Sequence, residues 1–322
     1  MTFQDVEQAR EKYFAKNQTF LKERSRKRKK AAFFVFTILF LILALIIFFN
    51  FDSIMSMLHS IKWNQHTLLT LFIIIFNILV VVGIIFGLIC ALTNGGANTQ
   101  EEYLAYKHAY KGYFIAQQLA EIFTDLNYHH EQGLDKNILA KTGLIYTGSD
   151  YSSNDLVIGK YKNVDFTQAD VRIIDYYTDS DGDRHSRIVF LGRYMIFKFP
   201  KKFKAKMIIS FDGYGEGLFD RITTESTDFN KRFLVYAEDK LEALYILTPD
   251  FMEKLEKLGQ QYDNKISFYF ADDKLYIGIN DGNNVFEPPN PATPIDEAKE
   301  KAKVIQDMKA ITNIVDDLKL NR

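Results

Sequence analysis

The sequence has little cysteine, and this limits its covalent chemistry. Cys90 is the single cysteine among 322 residues. No intrachain disulfide can form, and a metal site built from several thiolates is excluded. A folded portion without disulfides is best suited to a reducing compartment.

Beyond its first 30 residues, the chain also lacks an excess of basic side chains. Residues 1–30 contain ten basic and four acidic residues, yet the formal net charge of the whole chain is −1. A general nucleic-acid-binding protein carries a basic surface on its folded domain. The composition therefore predicts no nucleic-acid partner.

The segment at residues 31–92 contains two long apolar runs, and neither run contains a charged residue. Residues 31–49 would rise about 28 Å as a helix, which is close to the hydrocarbon thickness of a bilayer. Residues 68–92 form the second run, and it is long enough to span with some tilt. The first run begins too late and is too long for a cleaved signal peptide. Both runs are too long for a buried soluble hairpin, so the sequence predicts two transmembrane helices with a short external loop.

The basic cluster "KERSRKRKK" lies directly before the first run. Lys and Arg next to a span remain on the cytoplasmic side, and the loop between the runs carries little positive charge. We therefore expect a multi-pass protein of a bacterial inner membrane, with both termini cytoplasmic. The cluster is interpreted as a topology signal, as a contact for anionic lipid headgroups, or as both. The residues predicted to contact the membrane surface are Arg24, Arg26, Lys27, Arg28, Lys29 and Lys30.

Neither run contains Asp, Glu, Lys, Arg or His, which argues against a transport or proton path. Asn77 is the one strongly polar side chain at depth, and Gly83 and Gly87 have the spacing of a close helix contact. These three residues are candidates for helix packing, within the hairpin or between protomers of a homo-oligomer.

The remaining sequence predicts an α+β cytoplasmic domain. A membrane-proximal helix is expected over residues 100–130, followed over 131–287 by short strands rich in β-branched and aromatic residues. Their turn-separated spacing indicates a mostly antiparallel sheet with flanking helices. Within this domain, Thr248 and Pro249 predict the start of a helix.

An amphipathic helix is predicted over residues 295–320, after a proline-rich spacer. One side of it forms an apolar stripe that a helix of this length normally buries. The stripe could dock beside the membrane-proximal helix, on a partner protein or on a second copy of the chain. Its residues are Ile305, Met308, Ile311, Val315 and Leu318.

No catalytic, cofactor or metal residue is predicted. His129 and His130 would point about 100° apart on a helix, so they are not expected to share a metal. The stretch "DSDGDRH" lacks the glycine and the terminal glutamate of a calcium loop, which favours a hairpin turn at residues 179–185.

Three stretches, "GRYMIFKF", "DFNKRFLVYAEDKLEALYILTPDFMEKL" and "ISFYFADDKLYIGI", resemble an uncharacterised bacterial family of membrane-associated proteins. That family is known as domain of unknown function 3137, and the resemblance covers roughly residues 131–287. It implies no reaction, cofactor or catalytic residue. It does imply a membrane setting, and it suggests a LemA-type membrane protein as a partner.

Taken together, these features favour a membrane-anchored cytoplasmic binding or scaffold module that contacts the bilayer. A lipid or small-ligand sensor at the inner membrane face is the alternative. An enzyme is less favoured, because no nucleophile elbow, phosphate-binding loop or metal motif is present.

Overall fold

The computed structural model describes residues 1–49, 83, 99–199, 202–213 and 215–321, with side chains only to Thr37 in the first of these segments. The chain divides into two compact units. One contains Gln8–Tyr106. The other combines Met1–Glu7 with Lys107–Arg322, and is called the folded unit below.

Among its described residues, the first unit contains α1 (Phe3–Phe49, from Gln8 onward) and the first part of α2 (Gln100–Tyr110). Tyr13 lies with its ring 5.3 Å from that of Tyr103, and Lys16 forms an ion pair with Glu102 at 2.5 Å. Aromatic contact and charge pairing therefore hold these helices together.

The predicted transmembrane hairpin is not confirmed. Across the described ranges, no helix combines the length and the apolar character needed to cross a membrane. The predicted span at 68–92 lies outside the described residues except for Gly83, and the side chains of residues 38–49 in the first span lie outside them as well.

A single antiparallel sheet dominates the folded unit and confirms the predicted α+β class. Nine strands of the described residues pair in the order β1-β2-β3-β4-β9-β8-β5-β7-β6. The long central hairpin of β3 and β4 turns at residues 179–183, which confirms the predicted turn. The strand bounds are β1 Thr124–His129, β2 Asp150–Tyr161, β3 Val164–Thr178, β4 Arg184–Lys198, β5 Met207–Ser210, β6 Asp220–Ile222, β7 Leu234–Ala237, β8 Ile266–Ala271 and β9 Lys274–Ile279.

Helices flank this sheet. A π-helix (Lys111–Ile115) and α3 (Ala116–Ile122) continue directly from α2. The helix predicted over 100–130 is therefore too long, because the chain becomes extended at Phe123 and β1 pairs with β2. The other helices are α4 Lys136–Thr142, α5 Thr227–Arg232, α6 Lys240–Ile246, α7 Pro249–Gln261 and α8 Glu297–Asp317.

Alternation along the strands buries both faces of the sheet. On β8, Tyr269 and Ala271 join a core cluster with Leu139 of α4. Phe268 and Phe270 have the opposite parity, and the Phe270 ring packs 6.0 Å from Phe251 of α7. Helices thus pack on both faces of this part of the sheet, whereas Ile158 in the body of β2 is 40% exposed.

The extreme N-terminus is part of the folded unit. Val6 is fully buried, and the Phe3 ring lies 6.1 Å from those of Tyr113 and Phe114. The sequence predicts a separate segment at residues 1–30, but its first seven residues belong to the same compact unit as Lys107–Arg322.

Candidate functional site

The predicted membrane-contacting residues lie together on α1. Five of the six are exposed to solvent and Arg24 is partly exposed. Of the predicted helix-packing residues, Gly83 has helical backbone and is exposed, and Asn77 and Gly87 lie outside the described residues.

The predicted docking stripe lies on α8 and faces the folded unit. Met308, Ile311, Val315 and Leu318 are buried, whereas Ile305 is 40% exposed. The helix contacts α3 and the π-helix. Four of the five stripe residues therefore contribute to packing within the unit.

A buried ion network joins the π-helix to β2. Lys111 Nζ lies 2.5 Å from Asp155 Oδ2, and both side chains are fully buried. The Tyr128 hydroxyl donates to the other carboxylate oxygen of Asp155 at 2.5 Å. Lys111 also donates to Glu287 at 3.2 Å, and Lys107 forms an ion pair with Glu287 at 2.8 Å. Because removal of one partner would leave a buried charge, these groups stabilise the fold as a unit.

The pKa values in this network follow from burial and pairing. Burial raises the pKa of Asp155, and the Lys111 charge opposes that rise. Burial and the Asp155 charge raise the pKa of the Tyr128 hydroxyl. Burial acts to raise the pKa of Glu287, but Lys107 and Lys111 together lower it.

Two local irregularities bring Lys111 and Asp155 together. Lys111 is the first residue of the π-helix, where one extra residue per turn changes the direction of the side chain. Asp155 has a left-handed φ of 56° at a bulge in β2, between Asn154 and Val157. Aspartate tolerates this conformation better than most residues. The fold thus departs from regular geometry on both sides of the ion pair.

Asp170 is a buried carboxyl beside this network. It lies on β3 opposite Arg193 of β4, and neither carboxylate oxygen has a hydrogen-bond partner in the described part of the chain. Burial, followed by the negative charge of Asp155, raises its pKa well above the ordinary value, although Arg193 opposes the shift. Arg193 instead donates to Asp281 at 2.8 Å. A ligand could reach Asp170 only if the packed elements separated, so we interpret it as an interior acid rather than a substrate-binding group.

An apolar cleft lies between α6, the start of α7, the segment after β4 and the end of α8. Its volume is about 770 Å³, which lies within the range of small-molecule sites. The outer face of α6 extends this apolar surface, since Leu241 is 80% and Tyr245 is 73% exposed. The apolar lining consists of Phe199, Phe203, Leu244, Tyr245, Ile246, Phe251 and Leu318.

The charged groups of the cleft differ in their availability. Asp250 binds Lys254 at 2.5 Å, and Glu242 accepts a hydrogen bond from a backbone N–H at 3.5 Å. Lys202 and Lys319 also line the cleft, and neither forms an ion pair with a described residue. Lys254, and after it Lys319, lower the pKa of Asp250. The cleft therefore combines apolar walls with two lysines, of which Lys319 also interacts with the Asp250 carboxylate.

A second group of polar side chains lies where α2 meets the turn after β1. The rings of His108 and His130 are 4.4 Å apart, and His108 Nε2 lies 2.9 Å from Glu131 Oε1. One nitrogen or oxygen from each of the three residues lies within 4.8 Å of the others. Burial, and then the neighbouring His108, lower the pKa of His130. These three residues could hold a metal ion.

Sequence reasoning missed all three of these sites. The ion pair joins residues 44 positions apart, and the stretch around Lys111 is otherwise apolar, which is the one local signal that this lysine is unusual. The sequence predicts that His129 and His130, as adjacent residues, do not bind the same metal ion. The structure instead brings His130 to His108 on another element.

Comparison with known proteins supports the family resemblance over part of the chain. No curated protein sequence matches this one. A solved structure that matches is the crystal structure of the mycobacterial trehalose monomycolate transport factor A, TtfA. That match covers 66% of this chain and 95% of the other, with 8% identity and a TM-score of 0.31, so it carries no functional argument. Residues 188–320 match the model of the family described as "Protein of unknown function (DUF3137)". The match confirms the resemblance over residues 188–287, extends it through α8 and does not include residues 131–187.

Proposed function

We propose that this chain is a membrane-anchored binding module whose folded unit takes up the acyl chain of an anionic amphiphile. The observation that carries this proposal is the cleft, whose apolar walls are flanked by Lys202 and Lys319. An apolar cavity with a few charged groups at its edge suits a ligand with an apolar tail and an anionic head.

The anchor in this proposal is the pair of apolar runs at 31–49 and 68–92. Its support is sequence composition, together with the observation that the basic cluster and the start of the first run lie on one continuous helix, α1. We propose a bacterial inner membrane with both termini cytoplasmic, because basic residues flank the first run and are scarce between the runs. The anchor would keep the folded unit close to its ligand.

Binding, rather than catalysis, suits the chemistry of the cleft. General acid–base catalysis needs titratable groups that converge on one point and are free to exchange protons. Asp250 and Glu242 are both engaged by neighbouring donors. The buried network around Lys111 is enclosed by packed elements.

A scaffold for a membrane protein partner is the second candidate function. The exposed apolar face of α6, with Leu241 and Tyr245, favours it, because isolated exposed apolar residues are common but a contiguous group on one helix marks an interaction surface. The partner in this case would be a LemA-type membrane protein, which the family resemblance suggests, or a second copy of this chain.

Photolabelling of the full-length protein in membrane vesicles separates the two functions. Vesicles would carry a fatty acid with a photoreactive diazirine in its chain, and labelled peptides would be mapped by mass spectrometry. We expect label in the cleft peptide at residues 241–251. Leu244→Asp should reduce that label at least several-fold, because it places a charge against the apolar tail.

The matched control is Leu218→Asp, which changes an exposed leucine outside the cleft lining and should leave the label unchanged. Label in the apolar runs at 31–49 and 68–92 is the positive control, because it shows that the photoreactive fatty acid has reached the protein. Label in these runs with none in the cleft peptide would contradict acyl-chain binding. In a separate sample treated with a bifunctional protein–protein cross-linker, recovery of the peptide at 240–251 joined to another protein would favour the scaffold function.

A further inference from the structure

The two histidines and the glutamate described above come from distant parts of the sequence. His108 lies on α2, and His130 and Glu131 lie in the turn that follows β1. The His108 ring contacts both of the other side chains, at a ring separation of 4.4 Å and an N···O distance of 2.9 Å. The fold therefore gathers three potential metal-binding atoms within 4.8 Å.

The chemistry of these atoms suits a particular class of ion. Imidazole nitrogen binds zinc, copper, iron and nickel in preference to calcium or magnesium, which favour oxygen ligands. A small inward movement of the side chains would bring all three atoms to the distances of about 2.0–2.2 Å from one ion that such sites show. Three protein ligands leave one position of a tetrahedral ion open.

The surrounding structure holds these ligands in place. The backbone carbonyl of His130 accepts a hydrogen bond from the Asp155 N–H at 3.3 Å, and the turn is closed by a bond from Gln132 N–H to His129. The bulge of β2 thus fixes the turn that carries two of the ligands. The third ligand, His108, lies one helical turn before Lys111, whose side chain binds the same Asp155.

The local charge is compatible with a bound cation. Lys111, one helical turn after His108, is a fully buried positive group, and its charge is balanced by Asp155 and Glu287. Glu131 supplies a negative charge at the site itself. The His108 and Glu131 side chains are 43% and 66% exposed, so an ion can enter from solvent without opening the core.

We propose that His108, His130 and Glu131 form a binding site for a divalent transition-metal ion, for which zinc is the best chemical fit, with one coordination position open to water or an external ligand. The site lies outside the residues that match the family model, and it is independent of the cleft. A failure of acyl-chain binding would therefore leave it unaffected.

Zinc binding to the full-length protein, purified in a mild detergent and freed of metal with a chelator, tests this inference. Titration against a chromogenic zinc indicator should show one zinc site per chain. Zinc binding at this site should be weakened or lost when one of the three metal-binding side chains is removed. We expect His108→Ala and His130→Ala each to weaken binding by at least about tenfold, since even outer-shell changes cost 10–100-fold. Zinc should also raise the thermal midpoint of the unaltered protein but not of these variants.

His129→Ala is the matched control, because this histidine adjoins His130 but does not belong to the cluster. It should bind zinc like the unaltered protein. The assignment is wrong if the unaltered protein binds no zinc, if both His108→Ala and His130→Ala retain full affinity, or if His129→Ala loses it.

Discussion

Asp170 links the stability of the folded unit to pH. Its raised pKa means that the native state keeps this proton at pH values where an unfolded aspartate, with a pKa near 3.9, has lost it. Over that interval the unfolded state binds fewer protons than the native state. The contribution of Asp170 to the free energy of unfolding is therefore largest below about pH 4, and it falls as the pH rises toward the pKa of Asp170 in the native state.

Substitution of Asp170 by asparagine should remove this penalty, because asparagine has the same shape and does not ionise. At pH 7 we expect the Asp170→Asn variant to melt at least ~2 °C above the unaltered protein, the shift that about 1 kcal/mol produces in a domain of this size. The difference should shrink as pH approaches 4. Thermal melts of the purified full chain across this pH range provide the measurement.

Asp165→Asn serves as the control, since Asp165 lies on the same strand with its side chain 51% exposed. Its effect should be small and nearly independent of pH. A constant difference between Asp170→Asn and the unaltered protein at every pH would show that ionisation of Asp170 does not limit stability.

At the scale of elements, α8 shows how an amphipathic pattern is used. Most of its apolar stripe is buried against α3 and the π-helix. Its N-terminus is capped by Asp296, whose carboxylate accepts from the Lys299 N–H at 3.1 Å. The helix is therefore an integral part of the folded unit, and its apolar face is largely unavailable to a partner.

Two isoleucines on α8 provide a matched test of this packing. Ile311 is fully buried and Ile305 is 40% exposed. Ile311→Ala should lower the free energy of unfolding by about 2–5 kcal/mol, as for other buried isoleucines, and Ile305→Ala should change it by less than about 0.5 kcal/mol. Denaturant titration of both variants measures the difference. Equal losses, or a larger loss at Ile305, would mean that α8 is packed differently.

Elements with strong local signals could be predicted from the sequence. The residue types Thr248 and Pro249 predict the start of α7, and in the structure the Thr248 hydroxyl accepts a hydrogen bond from the Phe251 N–H. The β3–β4 hairpin followed from β-branched and aromatic residues around a polar turn. In such segments, local preference and tertiary packing favour the same structure.

Other elements depend on contacts that the local sequence does not encode. The strand β1 is the polar stretch "TDLNYH", which is extended because it pairs with the edge of β2. The π-helix at Lys111 and the bulge at Asp155 are likewise stabilised by each other across 44 residues. The candidate sites were missed for the same reason, since each combines residues from distant parts of the chain.

For the molecule as a whole, the proposed anchor fixes which chain segments share a side of the membrane. A phosphatase reporter that is active only outside the cytoplasm should be inactive when fused after Arg322 and active when inserted near Ser60, because basic residues remain cytoplasmic. Enzyme activity normalised to the amount of each fusion provides the measurement. The reverse pattern would place the folded unit outside.

The N-terminal segment also affects how this protein is made. Glu7 accepts a hydrogen bond from the backbone N–H of Ile295, 288 positions later, and Val6 is buried in the same unit. At a synthesis rate of about 5–20 residues per second, roughly 15–60 s separate the appearance of these two partners. During that time the segment around Val6 and Glu7 has no completed surface on which to pack. The folded unit therefore closes only after Ile295 has been synthesised, and a chain truncated before α8 would leave the segment around Val6 exposed to chaperones and proteases.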